Sequence, residues 1–184
     1  ITGTARRGKY LLFPLANGYT VLVHLRMTGQ LHVVDDEHVP DRHTHLVIHL
    51  DNGRRLIFHD TRKFGRVYVV AHPEDIVQKL GPEPLDPDFL PQELNGRLTQ
   101  RKAPIKSLLL DQRVVAGIGN IYADEVLFAA GIDPRRPGSS LQFNEVVRIH
   151  TVLRQALAQA IFDLGSRLAN YQRPGGGRGP NQER

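Results

Sequence analysis

The sequence predicts an α+β protein in which an antiparallel β-sandwich half is followed by a helical half. Three observations lead there. Between residues 6 and 71, apolar and polar residues alternate with period two, and the pairs Asn17-Gly18 and Asn52-Gly53 punctuate the runs. After Val70 the composition turns rich in Pro and Asp. From Ile105 onward, apolar residues recur at helical spacing on both sides of an Ala-Gly-Ile-Gly sequence. The expected domains are a sandwich over 1–71, N-terminally incomplete, a linker over 72–102, a helical domain over 103–166 and a flexible loop over 167–184.

In the first half, Tyr19, Val21, Val23 and Leu25 alternate with Thr20, Leu22, His24 and Arg26. The second face is itself partly apolar, which suits one sheet packed on another. Asn52-Gly53 joins LVIHLD to RRLIFHD and Asn17-Gly18 joins LLFPL to YTVLVHL, so each pair of runs is expected to form an antiparallel hairpin with positive dihedrals at the turn. The stretch AHPEDIVQKLGPEPLDPDFLPQELNGRL reads as the linker, with a helical turn or two near Pro73 to Leu80.

In the second half, Ile105, Leu108 and Leu109, then Val126, Leu127 and Ala130, predict helix, glycine-bearing turn, helix. Gly117 and Gly119 suit a backbone that approaches another group with its N–H exposed. Asn120 is expected as N-cap, with Asp124 and Glu125 in the first turn. Exposed amides at such a terminus suit a phosphate, although the spacing fits equally a hairpin whose glycines only allow close packing. Lys106, Arg113, Arg135 and Arg136 flank the loop. A last helix is expected over SSLQFNEVVRIHTVLRQALAQAIFDLGS, with Val146, Ile149, Leu153, Leu157 and Ile161 inward and Gly165 closing it.

Composition narrows the partners. The 184 residues are 40% hydrophobic, enough to bury a core in one domain or two small ones. Twenty-four Lys and Arg against nineteen Asp and Glu, with a pI near 9.8, favour a polyanion without identifying one. No apolar run approaches the roughly 18 residues of a membrane span and no signal-peptide segment is seen, so no membrane partner and a cytoplasmic setting are expected. With no cysteine there is neither disulfide nor thiolate metal site in this chain. Nine histidines are present, but those on the strands alternate without a compact ligand set.

The run LLLDQRVVAGIGNIYADEVLFAAGIDPRRP resembles the helix-two-turn-helix signature of bacterial formamidopyrimidine-DNA glycosylases, repair enzymes that excise oxidised purines. LGPEPL, residues 80–85, is another string typical of that family. The resemblance covers roughly residues 6–166. It implies a bifunctional glycosylase and abasic-site lyase of base excision repair, acting as a monomer on damaged duplex DNA in the bacterial cytoplasm.

Site residues follow by resemblance, one position at a time. Lys106 and Asn120 match the Lys and Asn that hold phosphates flanking the lesion. Lys9, within RRGKYLL, reads by itself as a solvated basic cluster; it matches the strand lysine that reaches the lesion phosphate and assists strand cleavage. Met27 in HLRMTGQL, with Arg62 and Phe64 in HDTRKFGRV, matches the trio that fills the gap left by the extruded nucleotide. Extrusion costs a few kcal/mol of unstacking, which an apolar wedge offsets, while an Arg donates to the orphaned base. His43 aligns with a DNA-backbone histidine and Arg101 with a basic DNA contact. The Met27 and Arg62-x-Phe64 pattern looks like the purine branch of the family, with 8-oxoguanine or a ring-opened purine as lesion.

Two family features are missing. The family's nucleophile is an N-terminal Pro followed by Glu, which forms a Schiff base with the sugar before β- and δ-elimination; Ile1 is not that proline. The family also carries a four-cysteine zinc finger, which a chain without cysteine cannot build. The expectation is therefore an internal fragment of a complete glycosylase, with structural zinc in the parent protein and no cofactor bound here. The alternative is a non-catalytic DNA-binding module of the same fold.

Overall fold

A computed structural model describes residues 1–163 of the chain. The chain divides into two units, Ile1–Pro73 and Glu74–Arg184. The predicted closure of the last helix at Gly165 and the loop over 167–184 lie outside the described residues.

The first unit is built from β1 (Ala5–Arg7), β2 (Tyr10–Pro14), β3 (Thr20–His24), β4 (Gly29–Asp35), β5 (Thr44–His49), β6 (Arg54–Asp60) and β7 (Arg66–Val70). They form two antiparallel sheets, ordered β1-β2-β3-β7 and β4-β6-β5. β3 lies between β2 and β7, and all five of its residues are buried, which is why its sequence is apolar on both faces. Val21, Val23 and Phe58 form the core, packed by Leu11, Phe13, Leu31 and Val67 among others. Full burial of such a side chain stabilises by about 1.5–3 kcal/mol.

Both Asn-Gly hairpins form, but with three-residue loops. In the first, Leu15 N–H bonds Tyr19 C=O at 2.8 Å and Gly18 N–H bonds Leu15 C=O at 3.1 Å; in the second, the equivalent bonds join Leu50 to Arg54 at 2.9 Å and Gly53 to Leu50 at 3.3 Å. Gly18 (φ 84°) and Gly53 (φ 74°) are left-handed while their asparagines are not, so the expectation of two positive dihedrals is corrected. Each asparagine instead accepts the N–H two residues on, Asn17 from Tyr19 at 3.2 Å and Asn52 from Arg54 at 3.1 Å, fixing the turn from its side chain.

The second unit contains α1 (Glu74–Val77), α2 (Pro91–Leu98), α3 (Ile105–Leu110), α4 (Asn120–Ala130), a 3₁₀ turn (Gly138–Ser140) and α5 (Phe143–Phe162). Much of the predicted linker belongs to this unit's core: Phe89, Leu94 and Leu98 are buried with Leu109, Val126, Ile149 and Leu153. Arg154 explains how a proline-rich run without its own helical bonds is held, donating to the carbonyls of Pro84 at 2.8 Å and Asp86 at 2.6 Å. Gly81 lies so close to the turn before α4 that a Cβ there would sit 2.7 Å from the Val114 carbonyl.

α5 opens with a reciprocal cap in which Glu145 accepts the Gln142 N–H at 2.9 Å. It buries Val146, Ile149 and Leu153, but Ile161, assigned to the inward stripe by spacing, is 65% exposed. Among the described residues, no helix is long and apolar enough to cross a membrane.

Candidate functional site

Lys9 lies in the two-residue turn joining β1 to β2, where Arg7 pairs with Tyr10 and Gly8 has φ 56°. It is thus one residue ahead of the strand rather than on it. Its amine is pushed below the usual lysine range, first by burial and then by the neighbouring Arg26 charge. His24, at the end of β3, stacks edge-on to Tyr10 with centroids 4.9 Å apart. Burial, then Arg26, then Lys9 push its imidazole down to about 4. The neutral ring suits its contact, because its Nδ1 accepts the Arg26 N–H at 3.0 Å.

That contact shapes the turn after β3. Arg26 has φ 56°, a left-handed conformation that disfavours side chains, and it presents Met27 to solvent at 66% exposure. The second exposed apolar group follows the same design. Lys63 has φ 58°, and beside it Phe64 is 46% exposed with the Arg62 guanidinium 4.8 Å above its ring. Non-glycine residues held in this conformation mark backbone over-determined by its surroundings.

Asp60, fully buried, supplies those surroundings. Its carboxylate accepts the Thr28 hydroxyl beside Met27, the Arg62 N–H at 3.1 Å and the Gly65 N–H at 2.7 Å. The turns that carry Met27 and the Arg62–Phe64 pair, widely separated in sequence, therefore share one carboxylate. Asp60 lies within HDTRKFGRV, where the sequence pattern alone assigns it no role. The available signal was an Asp two residues ahead of a turn N–H, the spacing of an Asx turn.

His43 lies in the turn before β5, where Asp41 accepts its N–H at 2.9 Å and its ring meets His59 edge-on at 5.7 Å. Arg42 Nε donates to its Nε2 at 3.0 Å. A bulge between Thr44 and Leu46 turns His45 so that its Nε2 bonds the Asp60 carbonyl at 2.8 Å. Among the described residues, no three His, Asp or Glu side chains could hold a metal ion.

In the helical unit the hairpin forms, with three corrections. The cap of α4 is Gly119 (φ −113°), so Asn120 is the exposed first helical residue and not the N-cap. No acid lies in the first turn of α4. The turn between α3 and α4 is largely buried, with Val114, Val115, Ala116 and Ile118 in the core, and the Gly117 N–H is occupied by Gln112 Oε1 at 2.9 Å. Gln112 also donates to the Leu110 and Ile118 carbonyls, each at 2.9 Å, and pegs the turn from inside. Gly117 does take the left-handed conformation, φ 85°. The first intrahelical bond of α4 joins Ala123 N–H to Gly119 C=O, leaving the Asn120 and Ile121 amides ahead of it.

The flanking cations each have a local acid. Lys106 pairs with Asp124 at 2.7 Å, Arg113 with Asp111 at 2.9 Å, Arg135 with Asp133 at 2.7 Å and Arg136 with Glu145 at 2.6 Å. Arg101 also reaches Asp111, at 3.3 Å. The Arg136 hydrogen bond, then the Gln142 N–H, hold the Glu145 carboxyl down to about 2. Asp124 lies one turn after Asn120 on α4, so the structure sets Lys106 against the face of α4 that carries Asn120. Arg136 pins the start of α5 through Glu145, whereas Arg113 and Arg135 are exposed and each bound to the Asp two residues away.

Comparison with known proteins follows these two units. Residues 1–67 match the family model for the formamidopyrimidine-DNA glycosylase N-terminal domain, and residues 80–170 match that for the formamidopyrimidine-DNA glycosylase H2TH domain. Formamidopyrimidine-DNA glycosylase of Moorella thermoacetica is 50% identical over 187 residues, covering 100% of this chain and 68% of the relative. That of Chloroflexus aggregans is 48% identical over 185 residues, covering 100% and 67%. Among solved structures, MutM (Fpg) from Thermus thermophilus superposes with a TM-score of 0.88 at 42% identity, covering 99% of this chain and 68% of that one. Lactococcus lactis Fpg in complex with abasic-site DNA gives 0.88 at 34% identity with the same coverage. The chain thus spans about two thirds of the length of these relatives.

Proposed function

The chain belongs to the formamidopyrimidine-DNA glycosylase family, and we propose that it supplies the lesion-sensing and phosphate-holding body of a bifunctional glycosylase and abasic-site lyase for oxidised purines. It is a DNA glycosylase of base excision repair, and its partner is damaged DNA. The solved relatives from Lactococcus lactis are complexes with DNA containing an abasic site or FAPY-dG. We assign 8-oxoguanine and formamidopyrimidines as its substrates, with the protein acting as a monomer in the bacterial cytoplasm.

The observation that carries this reading is the pair of exposed apolar side chains, Met27 and Phe64, on turns fixed by one buried carboxylate, with Arg62 stacked on Phe64. A soluble surface gains nothing from two such groups held by strained backbone. A duplex with one nucleotide extruded does, because Phe64 and Met27 restore stacking in the gap while the Arg62 guanidinium donates to the unpaired base. Lys106 and Asn120 take the phosphates beside the lesion, and His43 and Arg101 steady the backbone further out. Lys9 contributes its charge at the lesion phosphate and assists the strand-cleaving steps.

By resemblance the attacking amine is that of an N-terminal Pro followed by Glu, and we assign that role to none of the residues named here. Zinc does not fit the residues present either: there is no cysteine, and no triad of His, Asp or Glu among the described residues. We assign the family's structural zinc to the parent protein outside these 184 residues.

Borohydride trapping tests the reading. The product of the intact gene is incubated with a duplex carrying 8-oxoguanine, the 184-residue chain alongside, and the imine is reduced. A covalent adduct with the intact product alone supports the Schiff-base lyase. No adduct with either, together with tight binding to lesion DNA, would make the protein a non-catalytic DNA-binding module.

A further inference from the structure

Asp60 does more than satisfy its own charge. Thr28 of the Met27 turn and Arg62 and Gly65 of the Phe64 turn all donate to its carboxylate. Its backbone reaches a third turn, donating its N–H to the His43 carbonyl at 2.9 Å and accepting from His45 Nε2 at 2.8 Å. Below, the ring of Phe58 closes the assembly. A Cβ at Gly65 would sit 2.3 Å from that ring and one at Gly29 3.0 Å from it, so both turns rest directly on Phe58. Each turn also holds a non-glycine residue at positive φ, Arg26 or Lys63, a conformation that relaxes once its hydrogen bonds are removed.

We propose that Asp60 is a positioning residue for lesion recognition, its carboxylate fixing the Met27 turn and the Arg62–Phe64 turn at one spacing so that the two enter the base gap as a unit. The proposal rests on the gap-filling reading of Met27 and Phe64. The chemistry requires a carboxylate, since the donors converge on it from both sides. An amide in its place turns an NH₂ toward one set of them. Burial pushes the carboxyl up, but hydrogen bonds from Thr28, Gly65, Arg62 and Phe64 outweigh it and leave the group below its usual range.

The test uses the intact protein with Met27→Ala, Phe64→Ala, Asp60→Asn and Thr28→Val. Two quantities are read: affinity for an 8-oxoguanine duplex relative to the matched undamaged duplex, and fluorescence of 2-aminopurine placed beside the lesion as a report of wedge insertion. Asp60→Asn is expected to lower the lesion preference about tenfold, as loss of charge-assisted bonds would, while undamaged binding and cooperative melting persist. Thr28→Val is expected to lower it about threefold and to add nothing to Met27→Ala, because it acts only through that turn. Should Asp60→Asn not fold, Thr28→Val carries the test: non-additivity with Met27→Ala supports the proposal and additivity overturns it. Unchanged preference in Asp60→Asn, with Met27→Ala and Phe64→Ala both impaired, overturns the positioning role alone. Unchanged preference in Met27→Ala and Phe64→Ala removes the gap-filling reading, and the proposal with it.

Discussion

Lys106 and Asp124 join the two helices of the hairpin, with Lys106 Nζ 2.7 Å from Asp124 Oδ1 and 2.9 Å from Oδ2. Both side chains are partly exposed, so the pair adds little to stability and is readily exchanged for a phosphate. In the proposed phosphate-holding role of Lys106, the acid holds the amine in place and competes with the DNA for it.

Lys106→Ala is therefore expected to weaken binding to every duplex and to flatten the log–log salt slope by about 0.9, one phosphate contact. Asp124→Asn is expected to tighten binding severalfold without changing the slope, and the double variant to match Lys106→Ala. Fluorescence anisotropy across a salt series checks all three; an unchanged slope in Lys106→Ala would remove it from the phosphate contacts.

Packing beneath the turns gives a second prediction. A Cβ at Gly65 meets the Phe58 ring at 2.3 Å and Asp60 Oδ2 at 3.1 Å, whereas one at Gly18 meets nothing and faces only the cost of φ 84°. Gly65→Ala is expected to destabilise by about 1–3 kcal/mol through overpacking, with part recovered by Phe58→Leu. Gly18→Ala is expected to cost about 1–2 kcal/mol, with no such recovery. Urea unfolding of the four variants distinguishes them.

His24 supplies a pH dependence. Its folded pKa of about 4 lies below the ordinary 6.5, so between these values the unfolded chain binds the extra proton. The stabilisation is complete above pH 6.5 and is lost as pH falls through about 4, amounting to about 2 kcal/mol between pH 7 and 5. Glu145, with a folded value of about 2, loses its contribution only below its ordinary 4.5. His24→Asn keeps an acceptor for the Arg26 N–H without titrating, and is expected to flatten the pH 7 to 5 difference in unfolding free energy.

Much of this was legible in the sequence because it rests on local patterns. Period two and the Asn-Gly pairs identify the hairpins, and 3.6-residue spacing identifies the helical hairpin. Loop length escaped, because Asn-Gly serves a two-residue turn and a three-residue turn alike, and only Gly18 and Gly53 proved left-handed. α2 escaped because it is short, polar and interrupted by Gly96, with only Leu94 and Leu98 facing the core. The pairs Asp111 with Arg113 and Asp133 with Arg135 were readable as Asp-x-Arg, each Asp also accepting the N–H two residues on. Asp60 was legible only in part: the same Asp-x-Arg spacing gives its turn to Arg62, but Thr28 lies 32 residues away and nothing local couples the two turns.

In the proposed function, labour is divided between turns that sense the lesion and a hairpin that holds phosphate. Comparing Phe64→Ala with Lys106→Ala on an 8-oxoguanine duplex and its undamaged match tests that most directly. The division predicts that Phe64→Ala lowers lesion preference about tenfold and spares undamaged binding, while Lys106→Ala weakens both duplexes equally. Equal losses on both duplexes in Phe64→Ala would contradict it.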